Sequence, residues 1–252
     1  MRVVLFLMVL VFSSLQASDV AKEQRWAEQV VDAILDGEAL WLKADEHEFL
    51  GIFTPAEDQS ARGIIVVHGT GIHPDWDQVV KPVRVEMATR GWNTLSIQMP
   101  ILPNEATYEE YVPLYPEVPP RLQAAEDFLI SQGIKDIVIV AHSQGATMSA
   151  YYLSRHDHQV RGFVAIGMQA SQPDPAINAA NSLKIIRIPV LDLYGSEDLA
   201  EVLNTIQLRK DAAAQNTGYK QKMVKGADHF FVTKNTPLIE TIDEWLNSAN
   251  LF

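Results

Sequence analysis

Residues 136–155 read DIVIVAHSQGATMSAYYLSR, and this stretch is the most informative about the fold. The apolar run at residues 137–141 is typical of a strand that is buried on both faces of a parallel sheet. The next ten or so residues are rich in small side chains and predict a helix. Ser143 falls at the turn between these two elements, with Ala141 and Gly145 on either side. A sharp strand-to-helix turn needs small neighbours, so the stretch predicts a strand–turn–helix unit that presents a serine hydroxyl.

Strand-like and helix-like segments alternate on both sides of this unit. Further strands are predicted at residues 63–67, 92–99, 161–166, 189–194 and 219–224. Helices are predicted at residues 20–35, 82–90, 120–132 and 199–206, with a last helix that has Thr236 as N-cap and Pro237 as its first residue. Two short strands at residues 38–43 and 47–53 predict an antiparallel hairpin. The expected fold class is α/β, a mostly parallel sheet of about eight strands with helices on both faces and an N-terminal antiparallel hairpin.

Composition narrows the chemistry that this protein can perform. The chain has 252 residues, 47% of them apolar, which is enough for one large globular domain. Its formal charge of −12 is the wrong sign for a partner with a phosphate backbone, so nucleic acid is not expected. The chain has no Cys, which excludes disulfides, a thiol nucleophile and cysteine-ligated metals. Chemistry must come from hydroxyls, histidines and carboxylates, and no metal or organic cofactor is indicated.

The N-terminus has the pattern of a secretory signal peptide. Arg2 precedes ten apolar residues, 3–12, and the stretch that follows, residues 13–17, ends in the small residue Ala17. The apolar run is half the roughly 20 residues that a membrane span needs, so no stable membrane span is expected after cleavage. Leu15 is larger than the residue usually found three positions before such a site, which leaves the cleavage point open. We therefore expect a signal peptide at residues 1–17, one domain at residues 18–252, and a periplasmic or secreted protein.

A glycine-rich turn follows the first buried strand of the α/β region. It reads His68-Gly69-Thr70-Gly71, and glycines there allow a backbone N–H to point at a developing oxyanion. The expected donors are the backbone N–H groups of Thr70 and of Gln144, the residue after Ser143. A plain glycine-rich turn is the alternative interpretation.

An acid and a base follow Ser143 along the chain. Asp198 lies after the strand at residues 189–194, and His229 lies in the loop after the final strand. Of the seven histidines, His229 alone has this position, so it is the expected base. Asp198 is the expected acid, although it can also serve as a helix N-cap, and Asp192 and Glu197 are alternatives.

The chain resembles the α/β-hydrolase superfamily over nearly all of its mature length. The residues that carry the resemblance are His68-Gly69-Thr70-Gly71, Ala141-His142-Ser143-Gln144-Gly145, Gly195-Ser196-Glu197-Asp198 and His229. Their order, Ser then Asp then His, is that of the superfamily, whereas Ala141 departs from its usual glycine. Segments 73–76 and 91–100 are similar to an uncharacterised family of exported proteobacterial proteins that is known only as a domain of unknown function. That resemblance implies a fold and a compartment but no substrate.

Aromatic residues near these motifs are candidates for substrate binding. His73 and Trp76 follow the glycine-rich turn, and Tyr111 lies in a proline-rich segment, residues 101–119. The proline-rich segment can form one wall of an acyl pocket, or it can be a surface loop that the prolines make rigid.

Together these features predict a serine hydrolase. Ser143, His229 and Asp198 would act on a small or medium carboxylic ester, or a related acyl compound, through an acyl-enzyme. The expected partner is a small-molecule acyl substrate. The alternatives are an acyltransferase or thioesterase with the same three residues, and a non-catalytic binding protein of the cell envelope.

Overall fold

Within the part of the chain that the structure describes, an eight-stranded sheet forms the centre of the protein. The structure is a computed structural model and describes residues 18–58, 60–170, 172–175, 177–249 and 251, so the predicted signal peptide at residues 1–17 lies outside it. The strands are β1 (Glu38–Ala44), β2 (His47–Thr54), β3 (Arg62–Val67), β4 (Asn93–Ile97), β5 (Asp136–His142), β6 (Val160–Ile166), β7 (Val190–Glu197) and β8 (Tyr219–Asp228). Their order in the sheet is β1-β2-β4-β3-β5-β6-β7-β8.

The pairing of the strands confirms the predicted architecture. β1 and β2 form an antiparallel hairpin, and β2 pairs antiparallel with β4. The other pairs, from β4 through β3 and β5 to β8, are parallel. A hairpin on one edge of a parallel sheet is the arrangement that the order of segments in the sequence indicates.

Helices cover both faces of the sheet. They are α1 (Val20–Val31), α2 (Val80–Ala88), α3 (Val118–Ser131), α4 (Gln144–Arg155), α5 (Ala179–Leu183), α6 (Ala200–Leu203), α7 (Ile206–Ala212) and α8 (Asn235–Ser248). Alternate residues of β3 show the layering: Ile64 and Val66 pack with α2 and α8, whereas Ile65 and Val67 pack with α3 and α4. Because side chains alternate along a strand, the part of a strand that is covered on both faces must be apolar, as residues 63–67 of β3 and 137–141 of β5 are.

The N-terminal helix α1 is fixed to the sheet by apolar and ionic contacts. Its residues Ala27 and Val30 pack on β2. Glu23 on the same helix is buried and accepts two hydrogen bonds from Arg121 of α3, at 2.8 and 3.1 Å. Bidentate pairing of an arginine with a carboxylate is geometrically specific, so this contact orients α1 relative to α3.

Three local expectations differ from the structure. The last helix begins at Asn235 after Lys234, and Thr236 does not cap it. The helix expected at residues 199–206 is instead the two short helices α6 and α7, which are separated by residues 204–205. The proline-rich segment contains a 3₁₀ helix, Glu109–Glu117, rather than an extended loop. Prolines 113 and 116 have no N–H to donate to a helical hydrogen bond, which disfavours a regular α-helix over this segment.

Parallel strands bring their following loops to one edge of the sheet. The segments after β3, β5, β6, β7 and β8 therefore meet at the carboxyl edge, where ligands bind in open α/β sheets. Among the described residues, none of the helices has the length and apolar character that crossing a membrane requires.

Candidate active site

Ser143 occupies a strained turn between β5 and α4. Its φ and ψ angles are 55° and −124°, in a region that residues with a side chain seldom adopt. Such a conformation costs of order 1–3 kcal/mol and persists only where the surrounding structure enforces it. The neighbours leave little room, since a Cβ on Gly145 would lie 2.2 Å from the carbonyl oxygen of His68. A glycine is therefore needed at position 145 because the backbone of His68 leaves no room for a side chain.

Ser143, His229 and Asp198 form a continuous series of hydrogen bonds. The Oγ of Ser143 lies 2.9 Å from Nε2 of His229, and Nδ1 of His229 lies 2.6 Å from Oδ1 of Asp198. The carboxylate only accepts, so Nδ1–H donates to it and Nε2 is left to accept the hydroxyl proton of Ser143. The imidazole and the carboxylate are buried. This is the geometry in which a base can remove a proton from a serine nucleophile.

Backbone amides hold Asp198 in place. Its Oδ2 accepts from the N–H of Gly195 at 3.2 Å, and its Oδ1 accepts from the N–H of Leu199 at 2.8 Å. Burial opposes ionisation, but the hydrogen bond and charge of His229, together with these amides, hold the pKa of the Asp198 carboxyl below its usual value. The carboxylate can therefore stabilise a protonated imidazole.

The two alternative acids lie elsewhere. Asp192 is buried within β7 and pairs with Arg209, whose Nε lies 2.7 Å from its Oδ2. Glu197 is exposed at the end of β7. The structure thus places Asp198, and neither alternative, beside His229.

Two further histidines support the site from inside the protein. His142 donates its Nε2–H to the backbone carbonyl of His229 at 2.9 Å. His68 donates Nδ1–H to the carbonyl of Gly69 and accepts the N–H of Met99 at its Nε2. Burial lowers the pKa of each to about 3, so both stay neutral at physiological pH. The sequence did not reveal the contact of His142 with His229.

The predicted oxyanion donors lie on the two segments next to the serine. A Cβ on Gly69 would lie 3.0 Å from the Cβ of Ser143, which places the turn at residues 69–70 against the nucleophile. The side chains of Thr70 and Gln144 are joined by a 2.8 Å hydrogen bond. Gln144 is the first residue of α4, where N–H groups have no acceptor within the helix. The roles of both amides as oxyanion donors stay predictions.

A cavity of about 300 Å³ opens beside Ser143 and His229. Its other lining residues are Tyr108, Glu109, Gly167, Gln169, Gln172, Leu199, Glu201 and Val202. They come from the segments that follow β4, β6 and β7, so the topology alone brings them together. Gly167 has a φ of 60°, and a Cβ there would lie 2.9 Å from the imidazole of His229. A glycine at this position leaves room for the base.

The three residues predicted to bind substrate lie away from this cavity. The rings of His73 and Trp76 pack together at 5.3 Å and against Trp26 of α1, and they line a separate cavity of about 320 Å³. Tyr111 is buried, and its hydroxyl accepts the N–H of Leu102 at 3.0 Å. This contact fixes the proline-rich segment. Substrate binding by these three residues stays a prediction that the cavity beside Ser143 does not support.

The described residues also bear on metal binding. In residues 18–58, 60–170, 172–175, 177–249 and 251, no group of three or more His, Asp or Glu side chains is arranged to hold a metal ion. The polar groups at the site are those of the serine, the histidine, the aspartate and the cavity wall.

Comparison with known proteins gives a family and a fold. The model of a family described as "Protein of unknown function (DUF3530)" matches residues 15–119 and 114–247. No curated protein matches the sequence significantly.

Solved structures of hydrolases superpose on most of the chain. Esterase 2 of Thermogutta terrifontis is 15% identical, with a TM-score of 0.70 over 86% of this chain and 96% of that one. The dienelactone hydrolase of Anabaena variabilis is 19% identical, with a TM-score of 0.65 over 84% and 96%. An alpha-beta serine hydrolase homologue of Coxiella burnetii is 17% identical, with a TM-score of 0.66 over 84% and 98%. At this identity the likeness shows the fold, which is the α/β-hydrolase fold.

Proposed function

The chain belongs to the DUF3530 family and has the α/β-hydrolase fold, and from this premise we propose that it is a serine hydrolase acting on small or medium carboxylic esters. One observation carries the proposal: the Oγ of Ser143 lies 2.9 Å from Nε2 of His229, whose other nitrogen is held by Asp198 at 2.6 Å. Fold alone does not specify activity, whereas a nucleophile, a base and an orienting acid in hydrogen-bond contact do indicate a reaction class.

The first half of the reaction forms an acyl-enzyme. The Oγ of Ser143 bonds to the carbonyl carbon of the ester as its proton moves to Nε2 of His229. Asp198, which is ionised, stabilises the resulting imidazolium through Nδ1–H. The bond from the carbonyl carbon to the alkoxy oxygen then breaks, and His229 returns the proton to the leaving alcohol.

The second half releases the acid. A water molecule gives a proton to Nε2 of His229 while its oxygen attacks the acyl carbonyl carbon. The bond to Oγ breaks, and the proton returns to Ser143. In each tetrahedral intermediate, the N–H groups of Thr70 and Gln144 would donate to the oxyanion, and removal of one such donor typically costs 10²–10³-fold in kcat.

The size of the cavity supports a small or medium acyl compound. A volume of about 300 Å³ is at the lower end of the range of about 300–1,000 Å³ that is typical of ligand sites. The names of the similar structures point the same way, since two are an esterase and a dienelactone hydrolase, and another structure has ferulic acid bound to Est1E from Butyrivibrio proteoclasticus.

The decisive experiment compares two serine variants of the same helical segment. Ser143→Ala is expected to lower kcat for p-nitrophenyl butyrate by a factor on the order of 10⁴–10⁶, because the nucleophile is lost. Ser149→Ala makes the same chemical change at a buried residue of α4 and is expected to keep parent activity. A fluorophosphonate should label the parent and Ser149→Ala but not Ser143→Ala. Equal turnover by Ser143→Ala and the parent would refute the proposal.

A further inference from the structure

Negative charge is concentrated at the carboxyl edge of the sheet. The segments that follow β3, β4, β6, β7 and β8 are residues 68–79, 98–117, 167–178, 198–205 and 229–234. These 58 residues contain nine Asp or Glu and one Lys or Arg, whereas the remaining residues contain 23 and 19. These segments therefore carry −8 of the net charge of −12, and all the remaining residues together carry −4.

Two of these carboxylates line the cavity beside the nucleophile. Glu109 comes from the 3₁₀ helix after β4, and Glu201 comes from α6 after β7. Neither forms an ion pair with any described residue, and no Lys or Arg is among the described residues of the cavity wall. By contrast, Asp75 at the same edge pairs with Arg84 and Lys81. Glu109 and Glu201 are thus left to act on whatever enters the cavity.

Lys22, which lies near the oxyanion turn, already has hydrogen-bond acceptors inside the protein. Lys22 is buried behind Gly71, where its Nζ donates to the carbonyl of Leu102 and to Oδ1 of Asn104, both at 2.7 Å. It does not line the cavity beside Ser143. A substrate anion in that cavity would meet two carboxylates and no compensating cation.

An aromatic residue, Tyr108, also lines the cavity beside the nucleophile. Tyr108 precedes Glu109, and its hydroxyl donates to Oγ1 of Thr147 at 2.8 Å, which fixes the position of the ring. A tyrosine ring attracts an ammonium group through its quadrupole, and this attraction adds to that of nearby carboxylates. Carboxylates and an aromatic ring together match a bulky organic cation better than they match a neutral chain.

We propose that the preferred substrates are esters that carry an ammonium group, which Glu109 and Glu201 attract into the cavity beside Ser143. The inference rests on the proposed hydrolase function and names its substrate class. Because both carboxylates are exposed, their effect is expected to be modest and to weaken with salt. Two unit charges about 4 Å apart in water correspond to roughly a fivefold effect for each carboxylate.

The test uses pairs of esters that have the same shape and differ in charge. Butyrylcholine and 3,3-dimethylbutyl butyrate place the charge in the alcohol, and ethyl 4-(trimethylammonio)butanoate and ethyl 5,5-dimethylhexanoate place it in the acyl group. Each kcat/KM is divided by the hydroxide-catalysed rate of the same ester to remove intrinsic reactivity. The parent is expected to prefer the cationic member of at least one pair by about tenfold at low salt and by less in 0.5 M NaCl.

Variants show whether the two glutamates cause the preference. Glu109→Gln together with Glu201→Gln should bring the ratio of cationic to neutral ester near one. Glu57→Gln removes the same charge from an exposed residue before β3, at the opposite edge of the sheet, and should keep the preference. A parent ratio of one or less for both pairs, or a preference that survives the double variant, overturns the inference.

The outcomes also separate this inference from the function on which it rests. Hydrolysis of the neutral esters that depends on Ser143, without any preference for the cations, overturns the substrate class and leaves the hydrolase proposal standing. Turnover that does not depend on Ser143, or no turnover of any of the four esters, overturns both.

Discussion

β7 leads to two buried carboxylates that are six residues apart and have different partners. Asp192 lies inside the strand and pairs with Arg209, a guanidinium that is always charged. Asp198 lies just after the strand and pairs with His229, an imidazole that can gain and lose a proton. Both acids are shielded from water, so burial alone does not distinguish them.

The two carboxylates show that the role of a buried acid depends on its partner and on its position along the strand. The Oδ2 of Asp192 accepts hydrogen bonds from three side chains, Arg209 at 2.7 Å, Tyr219 at 2.5 Å and Gln221 at 2.9 Å. This cluster joins β7, β8 and α7 away from the serine. Asp198 is at the carboxyl edge, where its partner His229 also reaches Ser143. We therefore expect Asp192 to affect folding and Asp198 to affect turnover.

The largest expected effect is on turnover. Asp198→Asn should lower kcat by about 10⁴-fold, because an amide does not hold the imidazole in the tautomer that accepts the serine proton. Asp192→Asn should lower kcat of the folded protein less than about threefold. Steady-state kinetics with p-nitrophenyl butyrate on both variants measures the difference, with circular dichroism to establish that each is folded. The reverse ranking would assign the role of the acid to Asp192.

The second expected effect is on the free energy of unfolding, and it concerns Asp192 rather than Asp198. Arg209→Met leaves Asp192 buried without its cationic partner, and removal of one partner from a buried pair typically costs 3–5 kcal/mol. Urea unfolding of the parent and the variant measures this cost, while kcat per folded molecule should stay unchanged.

A surface pair provides the matched control. Arg161 is half-exposed and pairs with Asp136 at 3.2 Å, so Arg161→Met should cost less than about 1 kcal/mol. A loss for Arg209→Met no larger than that of the control would show that the buried pair contributes little to folding.

The sequence predicted the fold because local pattern and order along the chain determine it. The continuous apolar run of β5 requires cover on both faces, and the alternation of strands with helices implies a parallel sheet. Local ends were less predictable. Thr236 has the side chain of an N-cap, but α8 begins at Asn235, so its hydroxyl has no capping position to fill. The 3₁₀ helix at Glu109–Glu117 depends on buried contacts of Tyr111 and Tyr115, which sequence alone does not show.

Within the site, the serine and the base were the most predictable residues. Ser143 stands in a strand–turn–helix motif, and His229 alone among the histidines follows the last strand. Asp198 and Asp192 were harder to separate, since both lie near the end of a predicted strand and only the partners in space distinguish them. The proline-rich segment at residues 101–119 was one candidate for a pocket wall, and its residues Tyr108 and Glu109 line the cavity. Glu201 was missed, because it comes from a segment with no motif and only the topology brings it to the cavity.

The smallest of the expected effects is a loss of stability at acidic pH. It arises beside Ser143 rather than around Asp192. Burial lowers the pKa of His142 and of His68 to about 3 in the folded protein, against an ordinary value of 6.5. Between these values the unfolded chain binds a proton at each histidine and the folded chain does not. Stability therefore rises with pH in this range, and it falls on acidification by about 1.4 kcal/mol per pH unit for each histidine. Asp198, with its pKa held below the ordinary 3.8, adds its own loss only at lower pH.

His142→Gln tests this effect, because a glutamine amide can still donate to the carbonyl of His229 but does not titrate. Urea unfolding between pH 4.5 and 6 should give a dependence of the free energy on pH that is shallower than that of the parent by about 1.4 kcal/mol per unit. A parent slope in His142→Gln would mean that this imidazole is protonated in the folded protein, and acid sensitivity would then have to be sought outside the site.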